Sequence, residues 1–172
     1  MAAETAAKAG VDVSHVSVDP NESSGVGHIT LEVTEHSAQN RITVCPGANF
    51  TLTLDDVAWL KEGIKDYDLV MMQFEVPMEV NEVVAQWAKD AGVKVMINPA
   101  PAAPISDKLL SCATYISPNE HEAAILANHS ISVENGINFE DVQIVADAFQ
   151  ARGVENLIIT LGENGSIVVK RM

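Results

Sequence analysis

The chain has 172 residues, a length sufficient for one globular domain with a core. Hydrophobic residues make up 47% of it and charged residues 20%, which is an ordinary composition for a globular protein. Its formal charge of −14 at pH 7 argues against nucleic-acid binding, because phosphate backbones attract Lys and Arg clusters that this sequence lacks. No apolar run reaches the roughly 20 residues of a membrane span, and residues 1–10 lack the apolar stretch of a secretory signal. Cys45 and Cys112 lie far apart without a CxxC pattern, so we expect a cytoplasmic protein without a disulfide framework or zinc site.

The first part of the chain predicts the end of a helix followed by a β-ribbon. Residues 4–9 match the last turns of a helix that ends near Gly10. Two β-rich segments follow, "SSGVGHITLEV" at 23–33 and "NRITVCPG" at 40–47, and the polar residues 34–40 link them. This pattern is typical of a hairpin or a lid-like ribbon.

From about residue 53 the pattern alternates between helices and strands. Thr53 and Asp56 form a capping-box pattern that predicts a helix start at "TLDD". An amphipathic helix is predicted over residues 78–92, with Gly92 as the C′ glycine and an apolar stripe at Val80, Val83, Val84, Trp87, Ala88 and Ala91. The other predicted helices cover 106–112, 118–128 and 138–153, and the predicted strands cover 68–74, 93–97, 113–117, 156–160 and 166–170.

Alternation of strand and helix predicts a parallel sheet covered by helices and joined by right-handed crossovers. In such sheets ligands bind beyond the carboxyl ends of the strands. Four polar or Gly/Pro-rich segments follow predicted strands: "QFEVP" at 73–77, "NPAPAAP" at 98–104, "SPNEHE" at 117–122 and "TLGENGS" at 160–166. We therefore expect a phosphate or nucleotide site at this edge, where helix N-termini can bind anions.

The segment "SPNEHE" has two interpretations. Ser117 as N-cap, Pro118 at N1 and Glu120 at N3 match a helix start with a capping box. Asn119 and Glu122 are three residues apart and therefore share a face in the first turns of the helix. An amide and a carboxylate there can order a hydrated Mg²⁺, although first-turn acids also complement the helix dipole without any ligand.

Two further segments keep two interpretations each. Gly162 and Gly165 follow a strand with a GxxG spacing, which fits either a tight turn or a glycine loop close to a nucleotide. Glu75 ends a strand; this spacing alone is typical of a surface acid, and an acid there can also accept hydrogen bonds from sugar hydroxyls. The sequence has no P-loop motif, and its five histidines show no metal-ligand spacing.

Six segments together carry a resemblance to a known family: "SSGVGHITLEV", "CPGANFTLT", "MMQFEVP", "INPAPA", "YISPNEHEA" and "IITLGENGS". In order and spacing they resemble the ribokinase-like (PfkB) carbohydrate kinases, over nearly the whole chain. The resemblance implies a three-layer α/β fold, with a Rossmann-like parallel sheet, helices on both faces and a small β-sheet lid. It also implies ATP and a small sugar as substrates and Mg²⁺ as the metal, and it allows a monovalent cation.

The resemblance assigns roles to individual residues. Asn119 and Glu122 match the Asn-x-x-Glu motif that organises Mg²⁺ and the phosphates of ATP, and Glu75 matches an acid that touches the sugar. Residues 24–45 match the strands of the lid, which also implies a homodimer contact. The nucleotide-binding positions implied in this way are Asn119, Thr160, Gly162 and Gly165.

The resemblance also divides the chain and indicates departures from the family pattern. Residues 1–23 match the end of a helix and the entry to the lid, 24–45 match the lid, and 46–172 match a partial α/β nucleotide-binding core.

The family's N-terminal strand with a sugar-binding Asp and its "GGKGAN"-like segment have no counterpart here. The "DTxGAGD"-type motif, whose last Asp is the catalytic base, would lie beyond Met172. We therefore expect no catalytic base in this chain and expect the chain alone to be inactive.

The resemblance implies an ATP-dependent sugar kinase, with D-ribose as the substrate we expect. Two alternatives stay open. The chain can be a non-catalytic fragment that associates through its lid, because such a lid exposes strand edges and apolar surface. It can also be a family member with another substrate, such as a fructose phosphate, a nucleoside or hydroxymethylpyrimidine. We expect neither nucleic acid nor membrane as a partner.

Overall fold

The computed structural model describes residues 2–33, 38–133 and 136–171. The chain divides into two compact units, Met1–Ala48 and Asn49–Met172. The first unit contains a helix and an antiparallel β-ribbon, and the second is built on a five-stranded sheet. The prediction of a mixed α/β fold with a mainly parallel sheet, flanking helices and a small antiparallel sheet is confirmed.

The first unit contains the predicted helix and β-ribbon, with boundaries that differ by one to three residues. Strand β2 begins at Ala38, two residues before the predicted Asn40, because the antiparallel ladder continues to the pair Val33–Ala38. The predicted link at 34–40 was therefore too long, and residues 34–37 lie outside the described residues. The elements of this unit are α1 (Ala2–Lys8), β1 (Val26–Val33) and β2 (Ala38–Cys45).

One face of the β1–β2 ribbon is mostly apolar. Residues directly opposite each other in an antiparallel pair point to the same side, and successive residues along a strand alternate. The register therefore gathers five apolar side chains on one face, each between 43% and 69% exposed: Ile29, Leu31, Val33, Ile42 and Val44. A two-stranded ribbon is marginally stable by itself, so covering this face would stabilise it.

Gly47 allows two loops of the first unit to meet. Its φ of +52° lies in the left-handed region, and a Cβ atom there would lie 2.2 Å from the carbonyl oxygen of Ser23. The Ala48 backbone N–H donates to the same oxygen at 2.8 Å. Both conformation and space therefore require glycine at this position.

The second unit has the sheet order β3-β4-β5-β6-β7, in which the first four strands are parallel and β7 is antiparallel to β6. The strands are β3 (Leu69–Met72), β4 (Lys94–Ile97), β5 (Tyr115–Ile116), β6 (Asn156–Thr160) and β7 (Ser166–Lys170). The α-helices are α2 (Leu60–Gly63), α3 (Met78–Asp90), α4 (Asp107–Leu110), α5 (Glu120–Ala127) and α6 (Phe139–Ala151). Short 3₁₀-helices in the chain cover Gly47–Thr51, Ile64–Asp66 and Gly162–Asn164.

Helix α3 follows the predicted apolar pattern closely. It ends where Gly92, at a φ of +74°, takes the left-handed conformation expected of a C′ glycine. Asn81 and Ala85 are also buried, so the buried face extends further around the helix than predicted. Of the predicted stripe, the structure buries Val80, Val84 and Ala88, half-buries Val83 and Trp87, and leaves Ala91 exposed.

The helix start predicted at Thr53 was wrong, although its cap forms. Asp56 Oδ2 accepts hydrogen bonds from the Thr53 backbone N–H at 2.8 Å and from the Thr53 hydroxyl at 2.6 Å. Residues 54–59 then form turns, and α2 begins only at Leu60. Backbone bonds such as Leu60 N–H to Val57 O span three residues, and apolar residues recur every three positions in this segment, a spacing that suits three-residue turns.

The buried side chains of the described strands lie on one face of the sheet. The parallel register places these positions on the same side, and they form one cluster with buried residues of α3, α4, α5 and α6. On the other face Met71 is 68% exposed and Val168 is 55% exposed. The core therefore sits between one sheet face and these helices, around Val95, Ile97, Ile116, Leu157 and Ile159.

Asp141 ties the start of α6 to the segment that follows α5. Its carboxylate accepts hydrogen bonds from the Ser132 backbone N–H at 3.0 Å and from His129 Nε2 at 2.8 Å. These bonds, first the one from Ser132 and then the one from His129, lower the pKa of Asp141 from its ordinary value. The ionised carboxylate therefore stabilises the fold at neutral pH, and this contribution is lost as the pH falls through the lowered pKa.

We predict that Asp141→Asn lowers the free energy of unfolding at neutral pH. The difference from wild type should begin to shrink below about pH 4, the ordinary pKa of the carboxyl in the unfolded chain, and should continue to shrink as the pH falls through the lowered pKa of the folded state. Chemical denaturation at neutral pH and at about pH 3 measures this difference. Glu140→Gln, in the same first turn of α6, is the control and should show a smaller pH dependence. A stability difference for Asp141→Asn that stays constant across this range would contradict the assignment.

Candidate functional site

Four loops leave the sheet at the carboxyl ends of strands β3 to β6. They start at Gln73, Asn98, Ser117 and Leu161, the residues that directly follow those strands. Because the four strands are parallel, the loops start at the same edge of the sheet, as the sequence predicts. Helices α3 and α5 begin in two of these loops, so their N-termini lie at this edge as well.

The "SPNEHE" segment starts its helix two residues later than predicted. The Ser117 N–H donates to Ile97 O at 2.8 Å, and Pro118 O accepts from the Thr160 N–H at 3.0 Å. These two bonds continue the parallel ladder beyond β5, so residues 117 and 118 are held in the sheet and cannot begin a helix. The predicted N-cap at Ser117 was therefore wrong, and Asn119, with extended backbone at ψ 175°, is the N-cap of α5.

Asn119 and Glu122 together form the capping box of α5. Asn119 Oδ1 accepts from the Glu122 N–H at 2.8 Å, and Glu122 Oε2 accepts from the Asn119 N–H at 2.8 Å. Two of the orphan N–H groups at this helix end are thereby satisfied. Asn119 is exposed and Glu122 is half-buried. The pair that sequence spacing placed on one helix face is thus in contact, and its first role is to start the helix.

Thr160 brings the glycine segment next to this cap. It forms a parallel bridge with Asn119 at the end of β6, and the chain then passes Leu161, which is buried. The residues after it turn through the 3₁₀-helix Gly162–Asn164, and Gly165, at a φ of +84°, leads into β7. Leu161 N–H donates to Gly165 O at 2.8 Å and closes the turn. The turn interpretation of the GxxG spacing is therefore confirmed.

The two glycines of this turn are required by conformation rather than by space. Gly162 has a φ of +55°, and Gly165 lies in the left-handed region as well. No heavy atom lies within 4 Å of a Cβ atom built on either glycine. The turn thus presents an open backbone surface beside Asn119 and Thr160, which is compatible with a ligand that approaches the backbone closely.

Glu75 lies two strands away from this group, in the loop between β3 and α3. Strand β4 separates β3 from β5, and neighbouring strands are ~4.8 Å apart. The loop that carries Glu75 therefore leaves the sheet about 10 Å from the loop that carries Asn119. Its side chain is half-buried and borders a cavity of about 390 Å³. The polar residues that line this cavity are Asn49, Gln73, Glu75 and Asn81, and its walls include Leu52, Val57, Leu60, Val80 and Val84.

The structure therefore separates the predicted site residues into two groups along one sheet edge. Asn119, Glu122, Thr160 and the glycine turn lie together, and Glu75 lies apart beside its cavity. Asn81, which was not predicted as a site residue, borders the same cavity as Glu75. The sequence feature that could have identified it is the helical spacing of this polar residue with Val84 and Ala88, which puts it on the apolar face of α3.

Two classes of feature are absent from the described residues. Within the ranges 2–33, 38–133 and 136–171, no group of three or more His, Cys, Asp or Glu side chains could hold a metal ion. In the same ranges no helix has both the length and the apolar character that a membrane crossing needs.

Comparison with known proteins identifies the family. The sequence pattern of the pfkB family carbohydrate kinases matches residues 1–171. The chain is 39% identical over 160 residues to a ribokinase of Schizosaccharomyces pombe, covering 92% of this chain and 48% of that protein. It is 36% identical over 165 residues to a ribokinase of Haemophilus influenzae, covering 96% of this chain and 51% of that protein.

A solved structure supports the same grouping. The ribokinase of Arabidopsis thaliana, complexed with ribose and ATP, superposes with a TM-score of 0.68 at 28% identity. The match covers 88% of this chain and 46% of the plant chain. The chain spans about half the length of the curated relatives it matches. The family pattern extends over nearly all of its residues, and the chain belongs to the pfkB family of carbohydrate kinases.

Proposed function

We propose that the protein is an ATP-dependent sugar kinase that transfers the γ-phosphoryl group of ATP to a hydroxyl of D-ribose. The observation that carries this proposal is the bridge between Asn119 and Thr160, which joins the capped start of α5 to the glycine turn. Both segments belong to the nucleotide part of the family resemblance. Ribose is proposed because the relatives above are ribokinases, and phosphoryl transfer by the whole protein is part of the proposal.

The nucleotide end of the proposed site uses the N-terminus of α5. Backbone N–H groups at a helix start carry the positive end of the helix dipole, which attracts phosphate oxygens. The capping box uses Glu122 Oε2 and Asn119 Oδ1, so Glu122 Oε1 and Asn119 Nδ2 are the atoms available to a ligand. A carboxylate oxygen suits hydrated Mg²⁺, and an amide N–H suits a phosphate oxygen. Bound Mg²⁺ supplies charge neutralisation at the phosphoryl oxygens.

The sugar end of the proposed site uses Glu75 and its cavity. A carboxylate accepts hydrogen bonds from sugar hydroxyls, and the amide side chains beside it can both donate and accept. The cavity of about 390 Å³ lies within the usual size range of small-molecule sites. Thr160, Gly162 and Gly165 would line the nucleotide and Glu75 would hold the sugar, at two ends of one sheet edge.

The cysteines bear on the compartment. Cys45 is exposed and Cys112 is buried, and both are free thiols. Free thiols are typical of reducing compartments, and this supports our proposal of a cytoplasmic location.

We predict that Glu122→Gln weakens Mg-ATP binding by about tenfold, the loss expected when a charged partner becomes neutral. The thermal midpoint should change little, because Gln at N3 still completes a capping box. Isothermal titration calorimetry with Mg-ATP measures the affinity, and a melting curve of each protein measures the stability.

Glu120→Gln is the matched control for this experiment. Glu120 lies in the same first turn of α5 and makes neither bond of the capping box. Glu122→Ala should lose affinity and also about 1 kcal/mol of stability, because it removes the side-chain bond to the Asn119 N–H, one of the two bonds of the capping box. Wild-type affinity in Glu122→Gln would remove Glu122 from the proposed metal site. Equal losses in Glu122→Gln and Glu120→Gln would indicate a general charge effect instead.

We propose as a second role that residues 24–45 pair two copies of the chain. The observation that favours it is the set of five exposed apolar side chains on one face of the β1–β2 ribbon. Burying such a face against a second copy would stabilise both ribbons. This role needs no catalytic group, so pairing through the ribbon is compatible both with the proposed kinase and with a non-catalytic association module.

We predict that Leu31→Glu weakens self-association by roughly 100-fold. Each dimer would lose two buried leucines, at ~1.5 kcal/mol or more for each. Thr30→Glu, on the opposite face of the ribbon, adds the same charge and should leave association unchanged. Sedimentation velocity over a range of protein concentrations measures it. A wild-type chain that stays monomeric at all concentrations would contradict this role, as would equal effects of the two variants.

A further inference from the structure

Asn81 is the one fully buried polar side chain among the residues that the structure describes. It is 3% exposed and lies on the core face of α3, between Val80, Val84 and Ala85. An amide in such a place destabilises the fold unless it is hydrogen-bonded. Asn81 Nδ2 donates to the backbone carbonyl oxygen of Gln73 at 2.8 Å. The bond links the core of the helix to the loop that leaves strand β3.

That loop is also bonded to the segment that follows strand β4. The Phe74 N–H donates to Ala100 O at 3.0 Å, and the Asn98 N–H donates to Met72 O at 2.9 Å. The Phe74 side chain is 4% exposed and belongs to the core cluster. Residues 72–74 are thereby fixed by two backbone bonds, one buried ring and the Asn81 amide. Because Glu75 directly follows these residues, they determine where its backbone lies.

Asn81 and Glu75 also border the same cavity of about 390 Å³. Glu75 approaches it from the loop, and Asn81 approaches it from the helix. A change at Asn81 therefore alters both the loop that carries Glu75 and the wall that faces it. Loss of a hydrogen bond elsewhere in the core would change neither the loop that carries Glu75 nor the cavity wall.

We propose that Asn81 is a positioning residue for the sugar end of the site: by holding the Gln73 carbonyl it fixes Glu75 beside the cavity. This inference rests on the proposed function, because it takes Glu75 as the residue that contacts the sugar. It concerns the sugar alone, since the Asn119 loop lies two strands away and has its own anchors.

The chain contains a matched control for this bond. Asn156 Nδ2 donates to Thr114 O at the same distance of 2.8 Å. Asn156 is the first residue of β6, so this bond lies at the opposite, N-terminal edge of the parallel strands. Both bonds join an asparagine amide to the carbonyl of a neighbouring segment. They differ in burial, because Asn156 is half-buried, and in whether the bonded carbonyl lies beside a proposed site residue.

The experiment compares Asn81→Leu with Asn156→Leu in the full chain. Calorimetric titrations with D-ribose and with Mg-ATP measure binding at the two ends of the site, and amide hydrogen exchange at Phe74 and Glu75 reports the order of the loop without any ligand. Asn81→Leu should weaken ribose binding by about tenfold, leave Mg-ATP binding unchanged and speed exchange at Phe74 and Glu75. Asn156→Leu should do none of these. If Asn81→Leu does not fold, Asn81→Ser removes the same amide with a smaller side chain.

The outcomes separate this inference from the proposed function. Ribose affinity and loop exchange that are unchanged in the Asn81 variants, or changed equally by Asn156→Leu, would overturn the positioning role and leave the kinase proposal intact. A wild-type chain that binds no ribose would instead contradict the proposed sugar end. In that case faster exchange in Asn81→Leu alone would still support control of the loop by Asn81, and equal exchange in both variants would overturn it.

Discussion

The arrangement of the site depends on backbone hydrogen bonds that continue the parallel ladder beyond the ends of its strands. Ser117 N–H to Ile97 O, Thr160 N–H to Pro118 O and Asn98 N–H to Met72 O each tie the first residues of a loop to the neighbouring strand. Loops fixed in this way leave the sheet at defined points. The sheet therefore determines where the site residues in these loops lie. The contact between the α5 cap and the glycine turn is a direct consequence.

Much of the fold could be predicted from the sequence because its signals are local. The 3.6-residue pattern of α3, its terminal Gly92 and the short apolar strands all arise within a few residues. The failures occurred where a distant segment decides the outcome. Ser117 has the sequence of an N-cap, but its N–H is bound by β4. Ala38 extends its strand because Val33 is opposite it, which no local signal reports.

The site was predictable to the same extent. The spacing of Asn119 and Glu122 placed them on one helix face, and the structure joins them in a capping box. Their proximity to Thr160 needed the sheet order, which strand alternation alone suggests only in part. Asn81 could not be found in this way, because a single Asn in an apolar stripe has no meaning until its partner, the Gln73 carbonyl, is known.

The central claim is that the cap of α5 and the glycine turn form one nucleotide site. The most direct test is a titration of the ¹⁵N-labelled chain with Mg-ATP, followed by two-dimensional NMR of the backbone amides, with Mg²⁺ alone as the reference. We predict saturable shifts in one cluster of amides at the carboxyl edge: Asn119, Glu122, Thr160, Gly162 and Gly165. The amides of Gly92, Thr114 and Asn156, at the opposite edge, should not move. No saturable shifts, or shifts confined to that opposite edge, would contradict the account.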